Sequence, residues 1–443
     1  MRQRNVFYFW LPLFLSWLLM TAEGPIVSAT INRLPNEVIM LAAMGIVVSL
    51  SVMIESPIIN MLATSTALVK DRATFLLVRR FTVHWMVLLT AVTTLIAFTP
   101  LFDVVMDWMG APPEVAVWVR PGMKIMTFWS AVIAWRRFLQ GVLIGFGQPG
   151  KMAWGTAVRL AASGGVVVGL GLFSTWPGVV IGAVALMAGV VAEAIFATWA
   201  VRPLLQNQLG PTAPSVADAA ISYRQLFWFH LPLAATSLMI LMVQPLVTSS
   251  LAKLDNPVAS LAAWPVLFQV LLMARAVAFA LPEVVIALSD GPQSFAMIRR
   301  FARNLTLAIT MFMLVFIFTP LSTFYLFVVQ DMTAQVGKLA QYTLVFYLFF
   351  PGLTVVGMWL RGLLIHGRHT TDVNVAMAVN LVVTAVTLAL GVRLRLPGLP
   401  SAAVALNLAL VSEILYLAWR AQRIIPIGLF AFSRARPKPT LPG

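Results

Sequence analysis

The sequence predicts an all-α polytopic membrane protein with twelve transmembrane helices, in two six-helix lobes related by a pseudo-two-fold axis along the membrane normal. Three observations support this prediction: extreme hydrophobicity, an internal repeat, and one-sided placement of the basic loop residues. Hydrophobic residues make up 60% of the chain and charged residues only 10%, against about 25% charged residues in soluble domains. So much apolar surface requires a lipid environment.

The repeat has a constant offset over most of the chain. Its clearest matches are Arg79–Phe81 with Arg299–Phe301, Leu41–Ala43 with Leu261–Ala263, and Phe98–Leu101 with Phe318–Leu321, each 220 positions apart. Around the fourth and fifth spans the offset becomes 221, as Gly141–Ile144 against Gly362–Ile365 shows. Six spans per half is an even number, so the two halves have the same orientation in the membrane.

The apolar segments give the span boundaries and the domain organisation. The expected spans are 6–34, 38–63, 80–102, 115–143, 152–173 and 176–201, then 225–253, 257–289, 301–326, 335–366, 371–393 and 398–424. The expected domains are the first lobe 1–201, a linker 202–224, the second lobe 225–424 and a tail 425–443.

Loop charge predicts the orientation. Arg79, Arg80, Arg299 and Arg300 belong to the strongly basic side, which is the cytoplasmic side in most membrane proteins. Both termini are therefore expected in the cytoplasm, in a multi-pass protein of the plasma (inner) membrane. The net charge of +15 has the same explanation, so nucleic acid is not an expected partner. The expected partners are lipids and a small-molecule substrate, and the expected state is a monomer.

Enzyme motifs are weak in this chain, and we expect no catalytic residues and no metal site. The chain contains no cysteine. Gly145, Gly147, Gly150 and Lys151 superficially resemble a phosphate-binding loop, but they follow a membrane span rather than a strand and predict a turn. Because the sequence contains no ATP-binding motif, we expect transport that is either coupled to an ion gradient or a facilitated exchange. No cofactor is expected other than H⁺ as a coupling ion.

Charged residues inside spans need a partner, water or a function, because a charge at mid-bilayer costs at least ~2.5–3.5 kcal/mol. Arg159 and Glu193 lie at similar depths on consecutive antiparallel spans, which predicts an ion pair. The counterparts in the second half are Asn380 and Glu413. Because both halves keep this set, a structural role is favoured over a functional one.

Glu55 and Arg275 occupy matching repeat positions with opposite charges. If the second and eighth spans face each other, the two side chains form a gate pair that breaks on opening. Separate pairing inside each lobe is the alternative.

Glu23 lies in the first span next to Gly24 and Pro25, whereas the second half has Val243 at the matching position. A proline bends a span and frees a carbonyl group, which is tolerated where the helix lines a cavity. Glu23, Pro25 and the intramembrane Glu283 are therefore candidate coupling or cavity residues, together with Glu55 and Arg275. The alternative for Glu23 is a protonated acid bonded to the freed backbone.

Arg136, Arg137 and Arg361 lie toward the cytoplasmic halves of the fourth and tenth spans. They either extend to the membrane interface or form a basic rim that attracts an anionic substrate or headgroup, since guanidinium groups bind phosphate and carboxylate well. Gly164, Gly165, Gly169 and Gly171 in the fifth span are expected to permit close helix approach.

Three short motifs carry resemblances to two families. Trp10–Leu13 and His230–Leu233 place a proline early in the first span of each half, which resembles the multidrug/oligosaccharidyl-lipid/polysaccharide (MOP) superfamily that includes the MATE transporters. Phe349–Pro351 with Leu360–Leu363, and Glu23 with Asn32 and Arg33, are similar to the progressive ankylosis (ANK) family. The ANK resemblance implies export of small polyanions, and the MATE resemblance implies efflux of organic cations.

The expected function is secondary active transport of a small organic substrate, anionic in character, by alternating access, with proton coupling as an option. Three alternatives remain open at this point: a MATE-type multidrug or organic-cation antiporter, a flippase for lipid-linked precursors, and a major-facilitator-type carrier. The last rests on Lys70–Arg72 with Arg79 and Arg80, which partly resemble the signature of major facilitators.

Overall fold

A computed structural model describes residues 3–148, 150–210, 221–289, 292–367 and 369–424, and every regular element among them is helical. Ten of its helices are long and apolar enough to cross a membrane. A bent pair, Ala334–Tyr347 with Phe350–His366, is an eleventh candidate with an angle of 44° at the break. The predicted fourth span is also broken, by a 3₁₀ turn at Met126–Phe128.

The first half contains ten α-helices: α1 Gln3–Thr21, α2 Glu23–Ile31, α3 Glu37–Glu55, α4 Met61–Leu68, α5 Arg72–Phe98, α6 Leu101–Met109, α7 Pro113–Ile125, α8 Trp129–Gly145, α9 Gly150–Phe173 and α10 Gly178–Asn207. The second half repeats this order: α11 Tyr223–Leu241, α12 Val243–Lys253, α13 Pro257–Phe279, α14 Leu281–Leu288, α15 Pro292–Phe318, α16 Pro320–Thr323, α17 Ala334–Leu344, α18 Phe350–His366, α19 Thr370–Arg393 and α20 Gly398–Ile424. Spans 1, 2, 4, 7, 8 and 10 therefore each consist of two segments.

The third and ninth spans begin earlier than the sequence predicts. Helix α5 starts at Arg72 instead of residue 80, and α15 starts at Pro292 instead of residue 301. Asp71 caps α5, because its carboxylate accepts from the backbone N–H of Thr74 at 2.9 Å. Arginine is a good helix former, so these helices extend past their apolar part. The prediction used apolarity alone and missed this extension.

The predicted linker is shorter in the structure, since α10 continues to Asn207 and α11 begins at Tyr223. Residues 211–220 within it, and the predicted tail 425–443, lie outside the described residues.

The repeat is visible in the backbone. Asn36 and Asn256, 220 positions apart, both have positive φ angles, of 57° and 51°. Thr99 and Thr319 have almost the same dihedral angles, with φ of −114° and −113°. The first and seventh spans break at matching residues, Ala22 and Met242. These local matches support the duplication on which the fold prediction depends.

The two halves contact each other along α3 and α13, where Gly45 lies against Pro265. A side chain at position 45 would place its Cβ 2.8 Å from Cγ of Pro265. Within each half, Gly141 and Gly362 bring the fourth and tenth spans onto the second and eighth. Gly164, Gly165 and Gly169 have open space where a Cβ would be, so the expected close approach in the fifth span is present only at Gly171, against Thr30.

Helix α1 packs mainly on α13 of the other half. The indole Nε1 of Trp10 donates to the carbonyl of Val277 at 2.9 Å. At the matching positions, 220 residues on, His230 Nε2 lies 2.9 Å from the carbonyl of Pro57. Since a carbonyl only accepts, Nε2 carries the proton, and Nδ1 accepts from the hydroxyl of Thr64 at 2.8 Å. The first helix of each half is thus attached to the second span of the other.

Candidate functional site

The first half contains a buried charge cluster centred on Glu193, which is 1% exposed. Arg136 forms an ion pair with its carboxylate, and Gln140 Nε2 donates to Oε1 at 2.9 Å. Arg159 Nη1 lies 3.8 Å from Oε2, so the predicted Arg159–Glu193 contact is present but is not the shortest one. Arg136 is buried and paired, which is what a guanidinium inside a membrane needs. It is therefore not part of an exposed basic rim.

Glu23, which lies just after the break of the first span, belongs to the same cluster of the first half. Arg159 grips its carboxylate with two nitrogens, Nε at 3.0 Å and Nη2 at 2.5 Å from Oε2. Arg159 therefore bridges Glu23 on α2 and Glu193 on α10. Pro25 lies two residues after Glu23. Because proline has no N–H, this position donates no backbone hydrogen bond across the break between α1 and α2.

Glu55 and Arg137 complete the cluster with weaker contacts. Glu55 is 6% exposed, and its Oε2 has no hydrogen-bond partner among the described residues. Arg136 and Arg137 are close enough to interact with it electrostatically. The Nε atom of Arg137 is also buried without a described partner. The cluster balances its formal charge, since it consists of three glutamates and three arginines.

The second half has a smaller cluster around Glu413. Arg361 forms an ion pair with Oε1 of this carboxylate, with Nε at 2.7 Å, and Asn380 Nδ2 donates to Oε2 at 2.8 Å. The structure thus brings together the predicted partners Asn380 and Glu413. Arg361, like Arg136, is engaged with a glutamate instead of standing free at a rim.

Arg275 is the residue of the second half whose charge is not matched. Its Nε donates to Thr354 Oγ1 at 3.1 Å, and its guanidinium lies 5.3 Å and 5.0 Å from the ring centres of Phe279 and Phe350. Among the described residues it forms no ion pair and no other hydrogen bond. Two arginines, Arg275 and Arg361, therefore share one glutamate, and the cluster carries a formal charge of +1.

The Glu55–Arg275 gate pair is not formed in this structure. The two helices contact each other at Gly45 and Pro265, but farther along Glu55 turns toward Arg136 and Arg137 while Arg275 turns toward α18. Each side chain therefore contacts groups of its own half, Glu55 near two arginines and Arg275 hydrogen-bonded to Thr354, and the gate pair stays a prediction. Glu283, the last candidate, is exposed on α14 and forms no ion pair within the described part of the chain.

Three ion-pair partners were not predicted from the sequence: Arg136 for Glu193, Arg159 for Glu23 and Arg361 for Glu413. One signal was available for the first. At the local offset of 221, Gln140 matches Arg361, so the fourth span had to present a polar group to Glu193. Arg136 is four residues earlier and therefore on the same face of the helix.

Polar contacts near Glu23 join the two halves. Ser28 Oγ lies 2.8 Å from Gln330 Oε1 and 2.9 Å from Gln269 Oε1, and Gln330 Nε2 donates to the carbonyl of Pro25 at 3.2 Å. Helix α2 is thus held by Arg159 of its own half and by Gln330 of the other. Any change in the charge of Glu23 acts on a helix that both halves hold.

Two further contacts between the halves follow the repeat. Arg33 Nη2 donates to the carbonyl of Val329 at 3.0 Å, and Lys253 Nζ donates to that of Trp108 at 2.7 Å. The donors are 220 positions apart and the acceptors 221. The interface therefore contains a pair of cation–carbonyl bonds related by the repeat.

Solved structures of MOP-superfamily transporters share this fold of two helical halves. The solved structures that share it include an inward-facing multidrug resistance MATE family transporter, with a TM-score of 0.70 and 15% identity over 94% of this chain and 98% of the other. The fold class predicted from the sequence is confirmed, which favours the MATE-like arrangement over a major-facilitator one.

Two other structures show the same fold. The lipid II flippase MurJ, in an inward closed conformation, gives a TM-score of 0.72 and 13% identity over 94% of this chain and 87% of the other. A MOP-superfamily transporter from Pyrococcus furiosus, described as having a binding pocket of reverse polarity, gives 0.62 and 15% over 94% and 95%. No family model and no curated protein sequence matches the chain.

Proposed function

We propose that this protein is a secondary transporter that moves a small organic anion across the plasma (inner) membrane by alternating access between its two halves, with both termini in the cytoplasm. The fold supports transport, because solved structures that share it are transporters and flippases. The cluster of the second half supports a negative charge on the substrate, and the cluster of the first half supports a proton as the coupling ion.

The unmatched guanidinium of Arg275 carries the proposal for an anionic substrate. A charged group inside a membrane protein is costly unless it is paired or hydrated. The terminal nitrogens of Arg275 have no partner among the described residues, and the side chain is half-buried rather than enclosed. A carboxylate or phosphate would supply the missing charge and accept from both nitrogens. An organic cation would instead meet a repulsive site.

The first prediction concerns Arg275. Replacing it with glutamine should reduce uptake of a labelled anion such as citrate or pyrophosphate into proteoliposomes by about 10- to 100-fold, because a charge-assisted hydrogen bond of about 1.5–3 kcal/mol is lost. Arg275→Lys should retain part of the activity, since it keeps the charge but not the planar fork. Arg393→Gln is the matched control, because Arg393 is an exposed arginine at the end of α19.

Uptake of a cationic dye in place of both anions would contradict the anionic preference while leaving transport itself intact. Unchanged anion uptake by Arg275→Gln would remove Arg275 from the substrate site.

Glu23 is the proposed proton-coupling residue. It is a buried acid on the short helix α2 and has no acidic counterpart at Val243. Protonation would cancel the charge that Arg159 grips and would release α2 on the side of the first half. The side-chain hydrogen bonds of α2 would then be those to Gln330 and Gln269 of the second half, which links a protonation event to relative movement of the halves.

The second prediction follows from this link. Glu23→Gln should abolish the stimulation of substrate uptake by a pH gradient, because the amide cannot exchange the proton. Substrate counterflow at equal pH on both sides should persist, since it needs no net proton movement. The measurement compares both assays in the same proteoliposomes, with Glu37→Gln as the control at an acid outside the cluster. Gradient-driven uptake that remains at the wild-type level would exclude Glu23 as the coupling site.

A flippase for a lipid-linked precursor is the second candidate, and one observation favours it. An apolar groove of 480 Å³ lies between the first, eighth and ninth spans, lined by Phe14, Met273, Val277 and Phe312 among others. Phe312 is 54% exposed, so the groove opens toward lipid. A lipid tail fits such a groove, but its described lining contains no charged side chain to hold a pyrophosphate. Translocation of a fluorescent lipid-linked pyrophosphate in the same liposomes would favour this candidate.

A further inference from the structure

A second groove lies on the surface of the first half, and its described lining contains no residue of either charge cluster. It measures 650 Å³ and lies between α5, α8 and α10. Its lining includes Phe128, which directly precedes α8, Trp135 of α8, Ile195 and Trp199 of α10, and Met86 of α5. Ile195 and Trp199 are 65% and 64% exposed. The groove is therefore open to the hydrocarbon of the bilayer along its length.

Tryptophan side chains distinguish this groove from an ordinary lipid-facing surface. Trp135 Nε1 donates to Thr198 Oγ1 at 2.9 Å, which fixes the indole across the gap between α8 and α10. Trp199 lines the same groove one residue farther on. Indole rings prefer the boundary between hydrocarbon and headgroups, so these two residues mark the depth at which a lipid headgroup would begin.

Two arginines stand at the end of the groove beyond the tryptophans. Arg202 lines the groove directly, seven residues after Ile195 and therefore on the same face of α10. Arg79 precedes Met86 by the same seven residues, about 10 Å along α5. Both arginines are exposed, and neither forms an ion pair within the described ranges. Both lie toward the basic side of the membrane, where anionic lipids attract Lys and Arg.

The second half keeps only part of this set, although it repeats the helices. Arg79 and Trp199 return as Arg299 and Trp419, but Trp135 corresponds to Val356, Thr198 to Ala418 and Arg202 to Gln422. The fold can therefore be built without the fixed indole and without an arginine at the position of Arg202. These three residues satisfy no structural demand that the second half shares, which points to a ligand.

We propose that the groove between α5, α8 and α10 binds one phospholipid with an anionic headgroup, its acyl chain against Phe128 and Ile195 and its phosphate between Arg79 and Arg202. The apolar length of the groove fits the acyl chain of the lipid. The two guanidinium groups, which form no ion pair within the described ranges, fit the negative charge of its headgroup. A zwitterionic lipid fills the same groove but gains less from the arginines. The site is separate from the charge clusters, so it does not depend on the transport proposal.

The experiment is native mass spectrometry of the full-length protein released from nanodiscs with equal amounts of phosphatidylglycerol and phosphatidylcholine. The wild-type protein should retain one phosphatidylglycerol in preference to phosphatidylcholine. The double variant Arg79→Gln with Arg202→Gln should lower this preference by roughly 25-fold, since each basic residue near an anionic surface contributes about 5-fold. Arg80→Gln with Arg300→Gln is the control, because it removes two exposed arginines outside the groove and leaves the same net charge.

Equal loss of phosphatidylglycerol in the control would overturn the proposal, because general surface charge would then explain the retention. Equal retention of both lipids by the wild-type protein would overturn it as well. Ala194→Phe places a ring in the groove without touching either arginine, and it should reduce the retention of both lipids. Unchanged retention in that variant would contradict the assignment of the acyl chain.

Discussion

Replacing Glu193 with leucine should lower the free energy of unfolding by about 3–5 kcal/mol, which is the usual cost of removing one partner from a buried ion pair. Glu193 is 1% exposed and accepts from Arg136 and Gln140. Without it, Arg136 remains buried with an uncompensated charge. Arg159 would be affected less, because its two-nitrogen contact with Glu23 remains.

The double variant Glu193→Leu with Arg136→Met should recover most of that loss, since replacing a buried pair by apolar groups of similar volume is often neutral. The measurement is SDS titration in mixed micelles, arranged as a double-mutant cycle. Glu114→Leu is the control for the same chemical change at an exposed position. A double variant as unstable as the sum of its single variants would show that Arg136 and Glu193 are energetically independent, contrary to their contact.

Gly141→Val should be the other strongly destabilising substitution, with a loss of about 1–3 kcal/mol or more from overpacking. A Cβ at this position would lie 2.0 Å from Ser65 Oγ and 2.3 Å from the carbonyl oxygen of Leu62. The second contact is with backbone, so α8 and α4 must separate to relieve it.

The control for Gly141 is Gly164→Ala on the neighbouring α9, where a Cβ meets no atom within 4 Å. This change should be neutral or stabilising by about 0.5–1 kcal/mol, because alanine loses less backbone entropy than glycine. Both variants can be followed in the same titration. A tolerated valine at position 141, with full activity, would mean that the two helices are less closely packed than the structure shows.

The sequence predicted features that depend on local chemistry or on the repeat. Hydrophobic length located the spans, and Pro25 indicated a bend in the first of them. The pairing of Asn380 with Glu413 followed from the repeat, as the counterpart of Arg159 and Glu193, which depth along neighbouring helices had placed together. Such features need only the rise of a helix and the requirement that buried charges are paired.

The remaining contacts depend on how helices that are distant in sequence are placed around each other. Depth alone puts Glu193 level with Arg159, but it does not show that α8 brings Arg136 closer. Nor does it show that α2 lies against α9, which gives Glu23 to Arg159. For Glu55 and Arg275, matching depth alone does not determine the contacts, because the rotation of each helix about its own axis decides where a side chain points.

The paired bonds of Trp10 with Val277 and of His230 with Pro57 change how the two halves are connected. Each half lends its leading helix to the other, as two subunits do when they exchange an arm. These two non-covalent joints are related by the repeat, and they add to the covalent link between α10 and α11 and to the other contacts between the halves. Any relative motion of the halves has to turn about these exchanged helices or break the two bonds. The residues that hold the exchanged helices are therefore hinge contacts as well as stabilising ones.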